Sequence, residues 1–211
     1  MRSILFLLLI GTFYGANAQL LDSISLFLQQ PPVFVARLDM RGSFVRNTNV
    51  KIFGAKFGLE HAGRFQYGIG YSFLLTPVER SQFVEGEGEV ITRLRMGYID
   101  PYVEYVFYSR GPWEIAVQAQ IGFGHGTLSY FDRDGTRQIL QRSALFLYEP
   151  SMALQYGLHR YLALAGGWGF RLAMHTSSSL GGNLSAPIYS FGARVLFGEI
   201  WKDLRADRKK Q

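Results

Sequence analysis

Between Arg64 and Phe73, the residues Phe65, Tyr67, Ile69, Tyr71 and Phe73 alternate with Gln66, Gly68, Gly70 and Ser72. A strand sends successive side chains to opposite faces, so one face here is large and apolar and the other small or polar. The same period recurs along the chain and predicts eight strands, at 33–46, 51–61, 64–73, 90–108, 114–130, 139–156, 161–174 and 187–198. In the first, Phe34, Ala36, Leu38, Met40 and Phe44 face away from Arg37, Asp39, Arg41 and Ser43. In the second, Phe53, Ala55, Phe57 and Leu59 oppose Lys56, Gly58 and Glu60. In the fourth, Leu94, Met96 and Tyr98 oppose Arg93 and Arg95. A change of phase after Asp100-Pro101 then sets Val103, Tyr105 and Phe107 around Glu104. A proline with a phase change predicts a β-bulge.

The connections alternate in length. Segments 61–64, 109–113 and 157–160 are tight, whereas 76–89, 131–138 and 175–186 are longer and polar; only 47–50 is short on the long-loop side. Ahead of the strands, Leu20, Leu21, Ile24, Phe27 and Leu28 have helical spacing, and Pro31-Pro32 stops that short helix. It is expected either at a membrane interface or against the end of the strand domain.

Alternation alone does not say which face points inward. An eight-stranded barrel encloses only enough space for side chains or one small ligand. The apolar faces carry dozens of large side chains that cannot fit there, while the glycine-, alanine-, serine- and glutamine-rich faces can. Seven basic residues, Arg37, Arg41, Lys56, Arg93, Arg95, Arg171 and Arg194, lie on the polar faces. Each would cost ~2–4 kcal/mol if turned to mid-bilayer lipid. The sequence therefore predicts an all-β fold: an eight-stranded antiparallel up-and-down transmembrane β-barrel with its apolar face outward, a short N-terminal helix and a basic C-terminal tail. A soluble lipocalin-like calyx is the weaker reading.

The N-terminus supports export. Arg2, the apolar run 4–10 and Ala16-Asn17-Ala18 read as a signal peptide over 1–18, too short in its apolar part to span a bilayer. Residues 19–32 then form the amphipathic segment, 33–198 the barrel and 199–211 the basic tail, with both termini on the periplasmic side. The chain has no cysteine, which excludes disulfides and a lipidated N-terminal cysteine. Losing Arg2 with the leader removes one charge from the formal +6, and part of the remaining excess is the tail's. Export and the scatter of the other basic residues argue against nucleic-acid binding.

With this pattern, the chain resembles the outer-membrane β-barrel domain proteins of Gram-negative bacteria, and the small eight-stranded OmpA/OmpX-type barrels are the nearest architecture. The segments 148–156 (YEPSMALQY) and 165–171 (AGGWGFR) look like strands common in such domains, although here Phe197 is followed by a basic tail. The resemblance implies residence in the cell outer membrane. Its partners there would be outer-membrane lipid, lipopolysaccharide and the barrel-assembly machinery.

Eleven charged residues are expected to form an inward ionic network: Arg37, Asp39, Arg41, Lys56, Glu60, Arg93, Arg95, Glu104, Glu149, Arg171 and Arg194. Folding the first two strands about 47–48 puts Asp39 opposite Lys56, and folding the sixth and seventh about His159 puts Glu149 beside Arg171. The network either plugs the lumen or, since bases outnumber acids, lines it for small anions; eight strands leave no porin-like channel. A structural, envelope-interaction or minor permeation role follows, and no catalytic, cofactor or metal site is predicted. Some barrels that resemble this one modify lipid A. His125, Thr127 and Ser129 lie near the outer end of the fifth strand, but no acid fits beside them. Glu85, Glu87 and Glu89 read as a solvated loop, and Asp134-Gly135 as turn chemistry rather than a calcium loop. Trp113, Tyr156, Tyr161 and Trp201 are candidates for a periplasmic aromatic girdle.

Overall fold

The structure, a computed structural model, describes residues 22–45, 48–76, 78–175, 184–198 and 200–201. The predicted leader and most of the tail lie outside them. A short helix, α1, spans 22–28. Nine strands follow: β1 Val33–Val45, β2 Thr48–His61, β3 Phe65–Leu74, β4 Val78–Val84, β5 Gly88–Arg110, β6 Trp113–Phe131, β7 Arg137–His159, β8 Leu162–His175 and β9 Ala186–Val195.

All pairings are antiparallel. The ladder runs β3–β2–β1–β9–β8–β7–β6–β5, and β5 returns to β3, pairing Phe65 with Tyr105 and Phe73 with Gly97. Eight strands thus close on themselves and leave no edge within the wall, which satisfies backbone groups that lipid cannot. The ninth, β4, lies in the segment expected to be a loop. It continues the line of β3 and pairs only with the first part of β5, from Val78 with Leu94 to Val84 with Gly88. Gly86 and Gly88 turn this hairpin in the left-handed region, at φ 89° and 85°. β5, β6 and β7, at 23, 19 and 23 residues, outreach the 10–14-residue strands of the rest of the ring. With β4 they form a sheet that projects past the barrel rim on the long-loop side.

The apolar face is outside. Phe34, Leu38, Phe57, Ile69, Ile99, Phe123, Leu164, Trp168 and Phe191 are all exposed, Phe191 to 68%. A soluble protein does not expose a continuous belt of this kind, whereas lipid covers it. The α1 helix packs on the outer wall near the tight-turn end: Phe27 lies 6.4 Å from Tyr105 between ring centroids, and Gln30 just beyond the helix offers its carbonyl to His61 Nδ1 at 2.9 Å.

Two expectations fail in β5. No phase change occurs at Pro101. Thr92, Leu94, Met96, Tyr98, Asp100, Tyr102, Glu104 and Val106 all point inward in one uninterrupted alternation, and the register slips only between Val106 and Tyr108. Leu94, Met96 and Tyr98 are therefore lumenal and Arg93 and Arg95 lie on the outer wall, the reverse of the expectation. The reason is a change of surroundings along a single strand. From residue 97 toward the tight-turn end the outer-wall positions of β5 are mostly apolar and its charges point inward; toward the long-loop end Arg93 and Arg95 stand on the outer wall behind an apolar lumen. Two environments on one phase mimic a phase change.

The lumen is divided accordingly. At the long-loop end Val50, Ile52, Leu94, Met96, Leu128, Leu145, Leu147 and Leu184 form a buried apolar layer. From Tyr98 toward the tight-turn end, the interior is mainly polar and charged, with Val35 and Val106 buried near its floor.

Candidate functional site

Every strand of the ring contributes to the charged lumen, because an inward position recurs every second residue. At its centre stands Arg41 of β1. Its guanidinium meets Asp39 Oδ2 at 2.8 Å and Asp100 Oδ2 at 3.6 Å, and bonds Glu149 on β7 and the Ser72 hydroxyl on β3. Ser72 in turn donates to Asp100 at 3.0 Å. Glu149 also accepts from Arg171 Nε, from the Gln120 amide and from the Tyr98 hydroxyl at 3.3 Å. Lys56 reaches Gln120 Oε1 at 2.7 Å and Asp39 Oδ1 at 3.8 Å.

Nearer the tight turns, Arg37 grips Glu104 with both terminal nitrogens at 2.5 and 2.7 Å, and Gln155 donates to the same carboxylate at 2.9 Å. Arg194 bridges Glu60 at 3.0 Å and Glu114 at 2.8 Å. Two inward glycines make room for these groups. A Cβ on Gly70 would come within 2.7 Å of Asp100 Oδ1, and one on Gly122 within 2.8 Å of the Tyr98 ring.

Of the eleven residues proposed from the sequence, nine are buried in this lumen: Arg37, Asp39, Arg41, Lys56, Glu60, Glu104, Glu149, Arg171 and Arg194. Arg93 and Arg95 are not. Arg93 pairs across the outer surface with Glu79 at 2.6 Å, and Arg95 is exposed. The register also differs from expectation at one pair: Lys56 stands opposite Arg37, and Asp39 opposite Gly54, because the β1–β2 turn closes between Val45 and Thr48. Lys56 and Asp39 meet diagonally instead. Glu149 does stand beside Arg171, between the paired Tyr148–Leu172 and Ser151–Gly169.

Sequence reasoning missed Asp100, Glu114 and Tyr98, and it put Ser72 and Gln120 on the polar faces without assigning them to the network. An unbroken count of two from Glu104 along β5 would have found Asp100 and Tyr98. With Asp100 and Glu114 counted and Arg93 and Arg95 removed, five lumenal bases face six acids among the described residues. The excess of bases behind the anion-lining reading is gone.

A void of about 30 Å³ lies among Arg37, Asp39, Arg41, Lys56, Gln118 and Gln120. That is room for one or two water molecules, not for a solute.

The remaining candidates lie elsewhere. His125 is on the outer wall, level with Gly97 and Ala144, and the hollow it lines with Thr127 contains arginines and, among the described residues, no carboxylate. His61 is buried and stacks on Tyr67. At the tip of the β6–β7 hairpin, Asp132 accepts from the backbone nitrogens of Asp134 and Thr136 at 3.1 and 2.8 Å, and Gly135 takes φ 76°. The Gln138 amide, donating to its other oxygen at 3.0 Å, is the main cause that holds the Asp132 carboxyl below the usual range. This is turn chemistry, and Arg133 joins the tip to Glu87 of the β4–β5 hairpin at 3.7 Å. Trp113 packs edge-on against Tyr156 at 4.7 Å near the tight-turn end.

No protein-family model and no curated protein matches the sequence. Among solved structures, a major outer membrane protein from Thermus thermophilus is similar at TM-score 0.50 and 11% identity, over 77% of this chain and 98% of that one. Neisserial surface protein A (NspA) is similar at TM-score 0.49 and 12% identity, covering 78% and 96%. The N-terminal β-barrel domain of Pseudomonas aeruginosa OprF gives 0.46 and 11%, covering 78% and 98%. At such identities the likeness speaks to the fold alone, and the fold is that of the small outer-membrane β-barrels.

Proposed function

We propose that this chain is an outer-membrane protein whose barrel is a closed stem. It serves a structural or envelope-interaction role and carries the β4–β7 sheet on the outer side. On this reading residues 1–18 direct export, both termini are periplasmic, and outer-membrane lipid surrounds the exposed aromatic and aliphatic belt. The barrel-assembly machinery would insert it.

One observation carries the closure. Arg41 spans the lumen to carboxylates on β5 and β7 while holding Asp39 of its own strand, and the void beside it is about 30 Å³. Each ion removed from water at such a site costs several kcal/mol, which only its partners offset. Opening a path would strand those charges. The apolar layer at the long-loop end adds a second barrier. A lipid-A-modifying enzyme is less well supported, because the hollow around His125 offers no carboxylate to orient the imidazole.

Planar-bilayer recording from the full protein purified in detergent tests the reading. A baseline without stable conductance steps is expected. Reproducible single-channel steps of fixed size would overturn the closed stem.

A further inference from the structure

On the outer wall, Arg95 of β5, Thr127 of β6 and Arg142 of β7 form one straight cross-strand row: Arg95 pairs with Thr127, and Thr127 with Arg142. Neighbours in such a row sit ~4.5–5.5 Å apart at Cβ, so the Cβ atoms of Arg95 and Arg142 stand roughly 10 Å apart on one face with a threonine between them, a gap that two long arginine side chains can close. Arg137 reaches the same place, its Nε donating to Ser129 Oγ at 3.1 Å. These three arginines, with His125, Thr127 and Tyr71, line a hollow of about 330 Å³ that contains no carboxylate. Among the described residues, none of the three arginines has an acidic partner, whereas each of the four lumenal arginines has one. Like charges held on one face without a counter-ion repel, and a sheet cannot splay them apart.

The height of the row says what neutralises it. One row below stand Gly97, His125 and Ala144, and one row further Ile99, Phe123 and Phe146, with the two phenylalanine rings 5.1 Å apart and Ile99 and Phe123 about half exposed. On β5–β7 the unbroken apolar rows thus end two rows beneath the arginines, and above them exposed apolar residues such as Ile91 and Ile139 recur only between polar ones. Four residues of strand rise about 13 Å, or about 10 Å along the membrane normal after the usual tilt. A lipid whose acyl chains lie on the Phe123 row therefore brings its headgroup to Arg95 and Arg142. Ala144 keeps the wall low beneath the hollow, and the Tyr71 hydroxyl lies over Gly97.

We infer that this hollow is a binding site for a phosphorylated lipid of the outer leaflet. Arg95 and Arg142 hold the phosphate by charge-assisted hydrogen bonds, and the acyl chains run down the wall. The inference rests on the outer-membrane reading above.

Native mass spectrometry of the full protein in detergent, titrated with diphosphorylated lipid A, tests it. Retention of lipid A is expected to fall at least tenfold in R95Q/R142Q and in the charge-reversed R142E. It should be unchanged in K51Q, whose lysine is exposed near the same end of the barrel but outside the hollow. Lipid A stripped of its phosphates should bind at least tenfold more weakly. Equal retention by the variants, equal loss in K51Q, or equal binding of the stripped lipid would overturn the site. Inorganic phosphate or a soluble sulfated saccharide binding as tightly as lipid A would overturn the lipid assignment. Extraction separates this failure from that of the larger reading. A protein washed from membranes by urea without detergent refutes membrane residence, whereas an embedded protein without phosphate-dependent retention refutes the site alone.

Discussion

Glu149 faces Arg171 across the β7–β8 ladder, and the same carboxylate also holds Arg41 from β1. One acid thus serves two fully buried arginines. Removing it strands Arg171 and takes one of three carboxylates from Arg41, whereas removing Arg171 leaves Glu149 paired with Arg41. Glu149→Gln is expected to cost about 3–5 kcal/mol, the range for breaking a buried pair from one side, and Arg171→Met clearly less. The double variant should fall short of the sum by about 1 kcal/mol or more. Urea midpoints of the refolded protein measure the cycle; strict additivity would mean that the two residues are not coupled.

The phase of β5 has its own signature. Met96 is 5% exposed in the apolar layer, while Arg95 beside it points outward. Met96→Gln should destabilise by about 2–4 kcal/mol, since it buries an amide in place of packed apolar surface. Arg95→Gln should stay within about 0.5 kcal/mol, as exposed substitutions do. The opposite order in urea unfolding would restore the phase change at Pro101.

Topology can be read on whole cells. Ser81 lies on the projecting β4 and Arg110 at the tight turn between β5 and β6, both exposed. A single cysteine replacing Ser81 should react with an impermeant thiol reagent on intact cells. One replacing Arg110 should react only after the outer membrane is broken. The reverse pattern would invert the barrel.

Two tryptophans report depth. Trp113 sits at the start of β6 against Tyr156, whereas Trp168 is mid-strand on β8, level with Met152 and Tyr189, and 61% exposed. Lipids brominated near the headgroup should quench Trp113 best, and those brominated deep in the chain Trp168. Deep quenching of Trp113 would remove it from a girdle at the interface.

The eight ring strands, the outward apolar belt and the tight turns were legible along the chain, because each rests on residues two apart on the same strand. Phe65 to Phe73 shows its two faces whatever the rest of the molecule does. What β5 does was not legible by the same rule. Arg93, Leu94, Arg95 and Met96 alternate as cleanly as any strand, yet polarity means inward beside hydrocarbon and outward beside headgroups. Local sequence does not record where the bilayer ends.

By itself, then, the sequence determined an all-β chain of alternating strands with charge on one face and lipid-compatible side chains on the other. That much follows from backbone geometry and from the cost of charge in hydrocarbon. The Glu149–Arg171 neighbourhood could be counted from the tight turn between their strands, but only the tertiary structure decided which charges meet across the lumen. Arg41 and Glu149 are 108 residues apart and are brought together by closure of the ring and by the register of each turn, which between β1 and β2 moved Lys56 two residues from its expected partner. It likewise decided that Asp100 and Glu114 balance the lumen and that Arg95, Arg137 and Arg142 share one outer hollow. Register and circumference belong to the closed sheet, and no window of sequence contains them.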